Sequence, residues 1–182
     1  MENAGKALAV VAHPDDCIIF ALPLIENLPQ YQWHIIYLTY RATDPRAVEV
    51  AAFWNNRSVT TEFLGLHDDY KDQETQHLNY WDRIDVEMAI RPAVLKHNPV
   101  LLVTHNADGD YGHIHHRIVH DAVQAIISIP KIYFASTFNA TDTYCAREYD
   151  LDKLPLHRSV IEGFQDRLIG RYIVTDQART LI

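Results

Sequence analysis

Two polar clusters in this 182-residue chain carry the residue types of a metal site. The first is His13-Pro14-Asp15-Asp16. At helical spacing His13 and Asp16 are i and i+3 and face one point, whereas Asp15 projects about 100° away. One carboxylate can therefore join His13 on a metal while its neighbour faces water or substrate. A plain helix cap made by either Asp is the competing reading. The second cluster is Gly112-His113-Ile114-His115-His116, where His113 and His116 repeat the i, i+3 relation. Neutral imidazole is a good zinc ligand, and catalytic zinc commonly takes three protein ligands and leaves one position for water. His, Asp and His drawn from the two clusters would make such a site; a polar helix start with exposed His is the alternative. Five of the 11 His (His105, His113, His115, His116, His120) fall within 16 residues, which argues against that alternative. His105 reads as structural, ending a strand, and His120 as a group behind the ligands or plain surface.

The chemistry that follows is hydrolysis. A zinc with an open position acidifies a water and polarises a carbonyl. A nearby carboxylate that does not bind the metal then serves as general base, and Asp15 fits by elimination. The developing oxyanion needs a further donor, for which His113 and Tyr111 are the candidates. Arg46 could hold a phosphate or sugar hydroxyl, or form a surface salt bridge. Asp68 and Asp69 could bind sugar hydroxyls, or lie in a solvated loop. With six Gly, the chain contains neither GxGxxG nor GxxxxGK[ST], and neither GxSxG nor HExxH. Asp108-Gly109-Asp110 is too short and wrongly followed for an EF-hand loop.

The elements that position these clusters alternate. Lys6–Ala12 reads as a buried strand and Asp16–Leu28 as a helix that Pro23 kinks or ends early. Trp33–Tyr40 reads as a strand. Asp44 as N-cap and Pro45 at the first helical position open a helix to about Arg57. Thr60–Leu66 is a strand, and His67–Tyr80 is loop-like. Trp81–His97 is helical, with Ile84, Met88 and Leu95 on one face and Pro92 interrupting. Val100–Thr104 is a strand. His113 or His116 opens a helix to about Ser128, and Lys131–Ala135 is a strand. Beyond Ser136 the pattern weakens to a helix near Leu156–Ile169 and a strand near Tyr172–Val174. This alternation predicts an α/β fold with a mostly parallel sheet and helices on both faces. Sites in such sheets lie beyond the carboxyl ends of the strands, where both clusters fall.

Composition bounds the rest. The length and 48% hydrophobic content suit one domain with a real core, spanning 1–182. A net charge of −8, from 24 acidic and 16 basic residues, excludes general nucleic-acid binding. Cys17 and Cys145 are lone thiols, consistent with a reducing cytoplasm. The N-terminus lacks a signal-peptide pattern. The longest apolar run, Cys17–Ile25, is far short of the roughly 20 residues of a membrane span. A homo-oligomer is left open.

Ala12-His13-Pro14-Asp15-Asp16 resembles the AHPDD signature of the PIG-L/LmbE-like de-N-acetylases, and Gly112-His113-Ile114-His115-His116 resembles that family's later GHPDH motif. Arg46, Glu49 and Ala52 resemble the family's Arg-bearing second helix, and Leu64-Gly65-Leu66 its following strand. The resemblance covers about residues 6–135. It implies a Rossmann-like three-layer fold and a zinc-dependent amidohydrolase, with one zinc per chain, that removes acetyl from an N-acetylglucosamine-type conjugate, a small molecule. By motif position His13, Asp16 and His116 would be the zinc ligands and Asp15 the general base. His113 would stabilise the oxyanion or protonate the leaving amine. Two features depart from the family. His115 stands where the motif has Asp, and residues 136–182 are a reduced version of the part that covers substrate. Another amide substrate, or a metal-binding or ligand-binding module without turnover, are the alternatives.

Overall fold

The computed structural model describes residues 4–68, 81–135, 140–147, 151–164 and 169–182. The first strand, β1 (Lys6–Val11), is apolar on both faces. Ala7, Ala9 and Val11 enter one core cluster, and Leu8, Val10 and Ala12 enter the other. Only a strand sandwiched between two helical layers needs that pattern. Its partners are β2 (Gln32–Thr39) on one side and β4 (Leu101–Thr104) on the other, both parallel. With β3 (Thr60–Leu66), β5 (Lys131–Phe134), β6 (Asp142–Cys145) and β7 (Ile169–Val174), the sheet order is β3-β2-β1-β4-β5-β7-β6. The first five are parallel, while β7 runs antiparallel to both β5 and β6. The expected α/β fold with a mostly parallel sheet and helices on both faces is what the structure shows. The strand order reverses between β1 and β4, which opens a crevice at their carboxyl ends.

The first helix differs in detail from expectation. A π-helical turn, Cys17–Ala21, runs into α1 (Leu22–Asn27). Pro23 lies in the first turn of α1, where its missing N–H leaves no bond unmade, so it opens the α-helical register rather than closing the helix. Tyr172 on β7 secures the wider turn: its hydroxyl donates to Phe20 O at 2.6 Å and accepts from Leu24 N at 3.2 Å. Gly170 leaves room for that phenol, which a Cβ there would strike.

Asp44 stands at the N-cap of α2 (Pro45–Asn55), as expected, but its carboxylate accepts from Arg41 N at 2.7 Å and not from the helix. In α3 (Arg83–His97) the expected face is reversed. Ile84, Met88 and Leu95 are 54%, 60% and 75% exposed, and Val86, Ile90, Ala93 and Val94 are buried. Those four also follow helical spacing, and their smaller side chains fit closer to the sheet. Pro92 lies within the helix on its exposed side. The helix α4 (Ile114–Gln124) ends earlier than expected. The C-terminal helix shortens to α5 (Arg158–Glu162); the end expected for it reaches residues 165–168, outside those described. Strand β6 and the short α6 (Asp176–Arg179) were not expected. Of the loop His67–Tyr80, only His67 and Asp68 are described, so Asp69 lies outside the described residues.

One core, which includes Phe20, Tyr37, Phe53 and Trp54, also takes in Leu154, Ile161 and Tyr172 from the C-terminal part. The other packs α3 and α4 on the opposite face. Among the described residues, no helix is long and apolar enough to cross a membrane.

Candidate metal centre

The chain leaves β1 through a tight turn. His13 N donates to Asp16 Oδ2 at 2.7 Å, and Asp16 N returns to His13 O at 3.2 Å. This pins the Asp16 carboxylate beside the His13 ring. The exit from β4 is a second tight turn. The Asn106 side chain accepts from the backbone N–H of Asp108 and Asp110, at 2.9 and 3.0 Å. Asp110 itself takes a left-handed φ of 63°, and Gly109 and Gly112 have φ of 73° and 98°. A Cβ on Gly109 would collide with His113 O, so glycine is required there. His113 then caps α4, its Nδ1 accepting from His115 N at 3.2 Å.

These turns bring both clusters to one point. His13 Nδ1 lies 3.3 Å from Asp16 Oδ2, His116 Nε2 lies 3.3 Å from Asp16 Oδ1, and the two ring nitrogens are 3.3 Å apart. A zinc-sized ion bonded at about 2.0–2.1 Å with tetrahedral angles sets its ligands about 3.3 Å apart. All three residues are buried. Each ring is held from behind by a carboxylate. Asp68 Oδ1 lies 3.0 Å from His13 Nε2, and Asp110 Oδ2 lies 2.8 Å from His116 Nδ1. Donation of the outer N–H to a carboxylate leaves the inner nitrogen with a lone pair for a metal.

Other donors crowd the same space, and their hydrogen bonds sort them. The geometry also allows sets formed by His13, His113 and His116, by Asp16, His105 and His116, and by His13, Asp68 and His115. A neutral imidazole offers one lone pair. That of His113 is used at Nδ1 by His115 N, leaving Nε2 with the proton, a donor. That of His105 is used at Nε2 by Ala12 N at 3.1 Å, while its Nδ1–H donates to Asp110 at 2.5 Å. The Asp68 and His115 set gathers at the Nε2 of His13, 3.0 Å from Asp68 Oδ1 and 3.2 Å from His115 Nδ1, and competes with the Nδ1 side for that ring's single lone pair.

The buried charges hold one another: burial opposes it, yet Asp16 lifts His13 to about 9 and raises His116, and Asp110 lifts His105 to about 9. Burial pushes Asp16 up, but His116 and His13 outweigh it and hold the carboxyl well below its ordinary value. Burial likewise opposes Asp110 and Asp68, yet His105 and His13 respectively hold each down to about 2. Burial and then His116 push His113 down to about 4, so the ring is neutral at pH 7. Asp15 differs. Burial and then Asp16 raise its carboxyl, while Arg46 opposes them. Its Oδ1 accepts from Arg46 Nη2 at 3.0 Å.

Several expected site residues stand elsewhere than a bare cleft wall. Arg46 is engaged three ways: with Asp15, with Tyr40 Oη at 2.8 Å and with His157 Nε2 at 3.3 Å. Asp68 spends one oxygen on His13 and accepts from Tyr40 Oη at 2.8 Å with the other. Tyr111 is half-exposed, its ring near those of His113 and His116. His115, at the position that departs from the motif, is buried with its ring stacked 3.8 Å from Trp81. His105 does follow the end of β4, but its ring also stacks on His116 at 3.8 Å. His120 Nδ1 meets His105 O at 2.9 Å.

Sequence reasoning missed Asp110, which it weighed only as part of a calcium loop. A carboxylate six residues before a candidate ligand, in a turn built on Asn106 and Gly109, was the available signal. It also missed Tyr40 and His157; His157 binds Glu49 at 3.0 Å and joins α2 to the C-terminal part.

The family model described as GlcNAc-PI de-N-acetylase (PIG-L) matches residues 8–127. An uncharacterized protein of Acanthamoeba polyphaga mimivirus is 28% identical over 137 residues, covering 69% of this chain and 59% of that protein. The chain thus spans less than two thirds of that relative. Among solved structures, a conserved protein of Thermus thermophilus has a TM-score of 0.63 at 15% identity, covering 96% of this chain and 94% of that one. The zinc-inhibited form of teicoplanin deacetylase Orf2 has a TM-score of 0.60 at 15% identity, covering 90% and 83%. The 4-carboxy-2-hydroxymuconate hydratase GalB of Pseudomonas putida has a TM-score of 0.59 at 14% identity, covering 90% and 82%. With both motifs at the switch point of the sheet and the matched segment running through them, the chain belongs to the PIG-L, or GlcNAc-PI de-N-acetylase, family.

Proposed function

We propose that this protein is a zinc-dependent de-N-acetylase acting on an N-acetylglucosamine-type conjugate. One observation carries the reading: His13 Nδ1 and His116 Nε2 lie 3.3 Å apart and each lies 3.3 Å from one oxygen of the Asp16 carboxylate, with a buried carboxylate, Asp15, beside them that does not belong to the set. His13 Nδ1, Asp16 and His116 Nε2 hold one zinc at this centre. When bound, the ion supplies Lewis acidity to a water and to the amide carbonyl. Asp15 takes the proton from the water; burial lifts its basicity and Arg46 fixes its orientation. His113 faces the centre as a neutral ring with its proton on Nε2, the form that donates to an oxygen gaining negative charge. The proton held by Asp15 then passes to the leaving amine, which departs as acetate is formed. Tyr111 borders the opening. Arg46 and Asp68 act on substrate through Asp15 and His13, since their own polar atoms are engaged.

The teicoplanin deacetylase likeness supports a sugar-bearing substrate, and the family name supports N-acetylglucosamine. The partner is a small molecule and the location cytoplasmic. The hydratase GalB has a similar fold under a different named activity. Hydrolysis of another amide, or metal binding without turnover, fits the same centre.

The test is a panel of N-acetylated amino sugars scored by free amine released, with zinc measured on the same samples. Asp15→Asn retains zinc and loses most turnover, whereas Asp16→Ala and His116→Ala lose the zinc of this centre. Full activity of Asp15→Asn, or zinc without amine release from any member, overturns the catalytic reading.

A further inference from the structure

A second group of metal-binding side chains lies at the other end of the sheet. His34 sits near the start of β2 and pairs with Leu8 of β1, whereas the metal centre follows the end of β1. Across the next strand Thr60 pairs with His34, and Glu62 pairs with Ile36. Ile36 packs in the core cluster with α3, so His34 and Glu62, in step with it on a pleated sheet, face that helix. His97 is the last residue of α3, which stops at Asn98 in a left-handed conformation. Its ring lies 4.0 Å from that of His34.

The hydrogen bonding of this group is unfinished. His34 Nδ1 meets Thr60 Oγ1 at 2.7 Å. Donation of Nδ1–H to that hydroxyl leaves the Nε2 lone pair facing Glu62 Oε2, 3.6 Å away. A buried lone pair then faces a part-exposed carboxylate oxygen. Neither His34 Nε2 nor His97 Nε2 has a hydrogen-bond partner among the described residues, and both atoms are buried. Unsatisfied buried nitrogens are rare in native proteins and call for a cause. Among the described residues Lys96 Nζ pairs with Glu62 Oε2 at 3.8 Å, beyond hydrogen-bond reach and largely exposed.

We propose that His34, Glu62 and His97 form a second divalent-metal site of the His2Glu zinc type, distinct from the centre at His13. One ligand atom from each residue lies within 4.8 Å of the others. A metal binds in the plane of an imidazole, so His97, the less buried ring at the helix end, tilts toward Glu62 as the ion enters. Thr60 orients His34 from behind, as a hydrogen-bonded partner does for a metal-bound His. Burial and the neighbouring His97 hold His34 down to about 4, and burial and Lys96 lower His97, so both rings are unprotonated at pH 7. Metal binding requires that form. The ion would tie the edge strand β3 to the end of α3.

The test is equilibrium dialysis of the metal-stripped full chain against zinc alone, with elemental analysis, at pH 7. Wild type is expected to hold two zinc ions per chain, and His97→Ala and Glu62→Gln one each. In a His116→Ala background, which removes the other centre, cobalt(II) should give a visible d–d band that His97→Ala abolishes. Far-UV circular dichroism confirms that each variant folds; His97 and Glu62 are both part-exposed, so folding is expected. Two ions retained by His97→Ala, or a wild type with one ion that His97→Ala keeps, overturns the proposal. One ion that His97→Ala loses supports it and instead rejects the centre at His13.

Discussion

Asp110 Oδ2 accepts from two stacked histidines at once, His105 Nδ1 at 2.5 Å and His116 Nδ1 at 2.8 Å. The rings are 3.8 Å apart, and one carboxylate oxygen sets the direction of both. Only His116 has its far nitrogen turned to the metal position; that of His105 is used by the backbone of Ala12.

Asp110→Asn removes the charge and leaves both rings free to turn. Zinc affinity should fall about tenfold to a hundredfold, the usual loss when such a partner is removed. Competition with a chromogenic chelator measures it. An unchanged affinity would show that His116 needs no orientation from Asp110.

Arg46→Ala separates positioning from substrate binding. Arg46 holds Asp15, Tyr40 and His157, so its loss disorders the base and not the cleft wall. The expected result is a fall in kcat of about tenfold to a hundredfold, up to the lower end of a full general-base contribution because Asp15 itself remains, with KM little changed. A large rise in KM at constant kcat would instead place Arg46 on the substrate.

Gly109→Ala should destabilise the fold by roughly 1–3 kcal/mol, the scale of a residue forced into a sparsely populated backbone region. The φ of 73° and the approach of His113 O both oppose a Cβ. Urea denaturation measures it, and a variant as stable as wild type would refute the strain argument.

His157 supplies a pH signature away from the metal. Burial and then Arg46 lower its pKa below the ordinary 6.5, although Glu49 opposes this. The unfolded chain therefore takes up the proton first as pH falls. Stability tied to this ring is intact above pH 6.5 and is lost as pH drops below it. His157→Gln should show a shallower decline of Tm between neutral and mildly acidic pH. An identical slope in both proteins would remove His157 from the acid response.

Local sequence made the two motifs legible because each sits where an apolar strand stops, and i, i+3 spacing is a backbone property. The strand alternation was equally legible, since Lys6–Val11 and Leu101–Thr104 are apolar enough to require two covered faces. What escaped was set through space. Asp68 meets His13 across 55 positions, and His157 meets Arg46 across 111. No periodicity encodes such contacts. The face of α3 was misread because two stripes compete there, and packing against the sheet favours Val86, Ile90, Ala93 and Val94 over the bulkier Ile84, Met88 and Leu95. Strand β6 is four residues at the sheet edge, and its identity depends on β7 beside it.

Tyr172 bonds both Phe20 O and Leu24 N, so the π-turn that begins one residue after Asp16 is completed by a strand near the opposite end of the chain. During synthesis that strand follows β1 to β5. The nascent chain can build β1 to β5 and display both motifs, yet the turn that follows Asp16 stays unsecured until Tyr172 has left the ribosome. The turn behind the first motif is therefore closed only after both motifs have been translated, so the order of synthesis is not the order in which the surroundings of Asp16 become fixed.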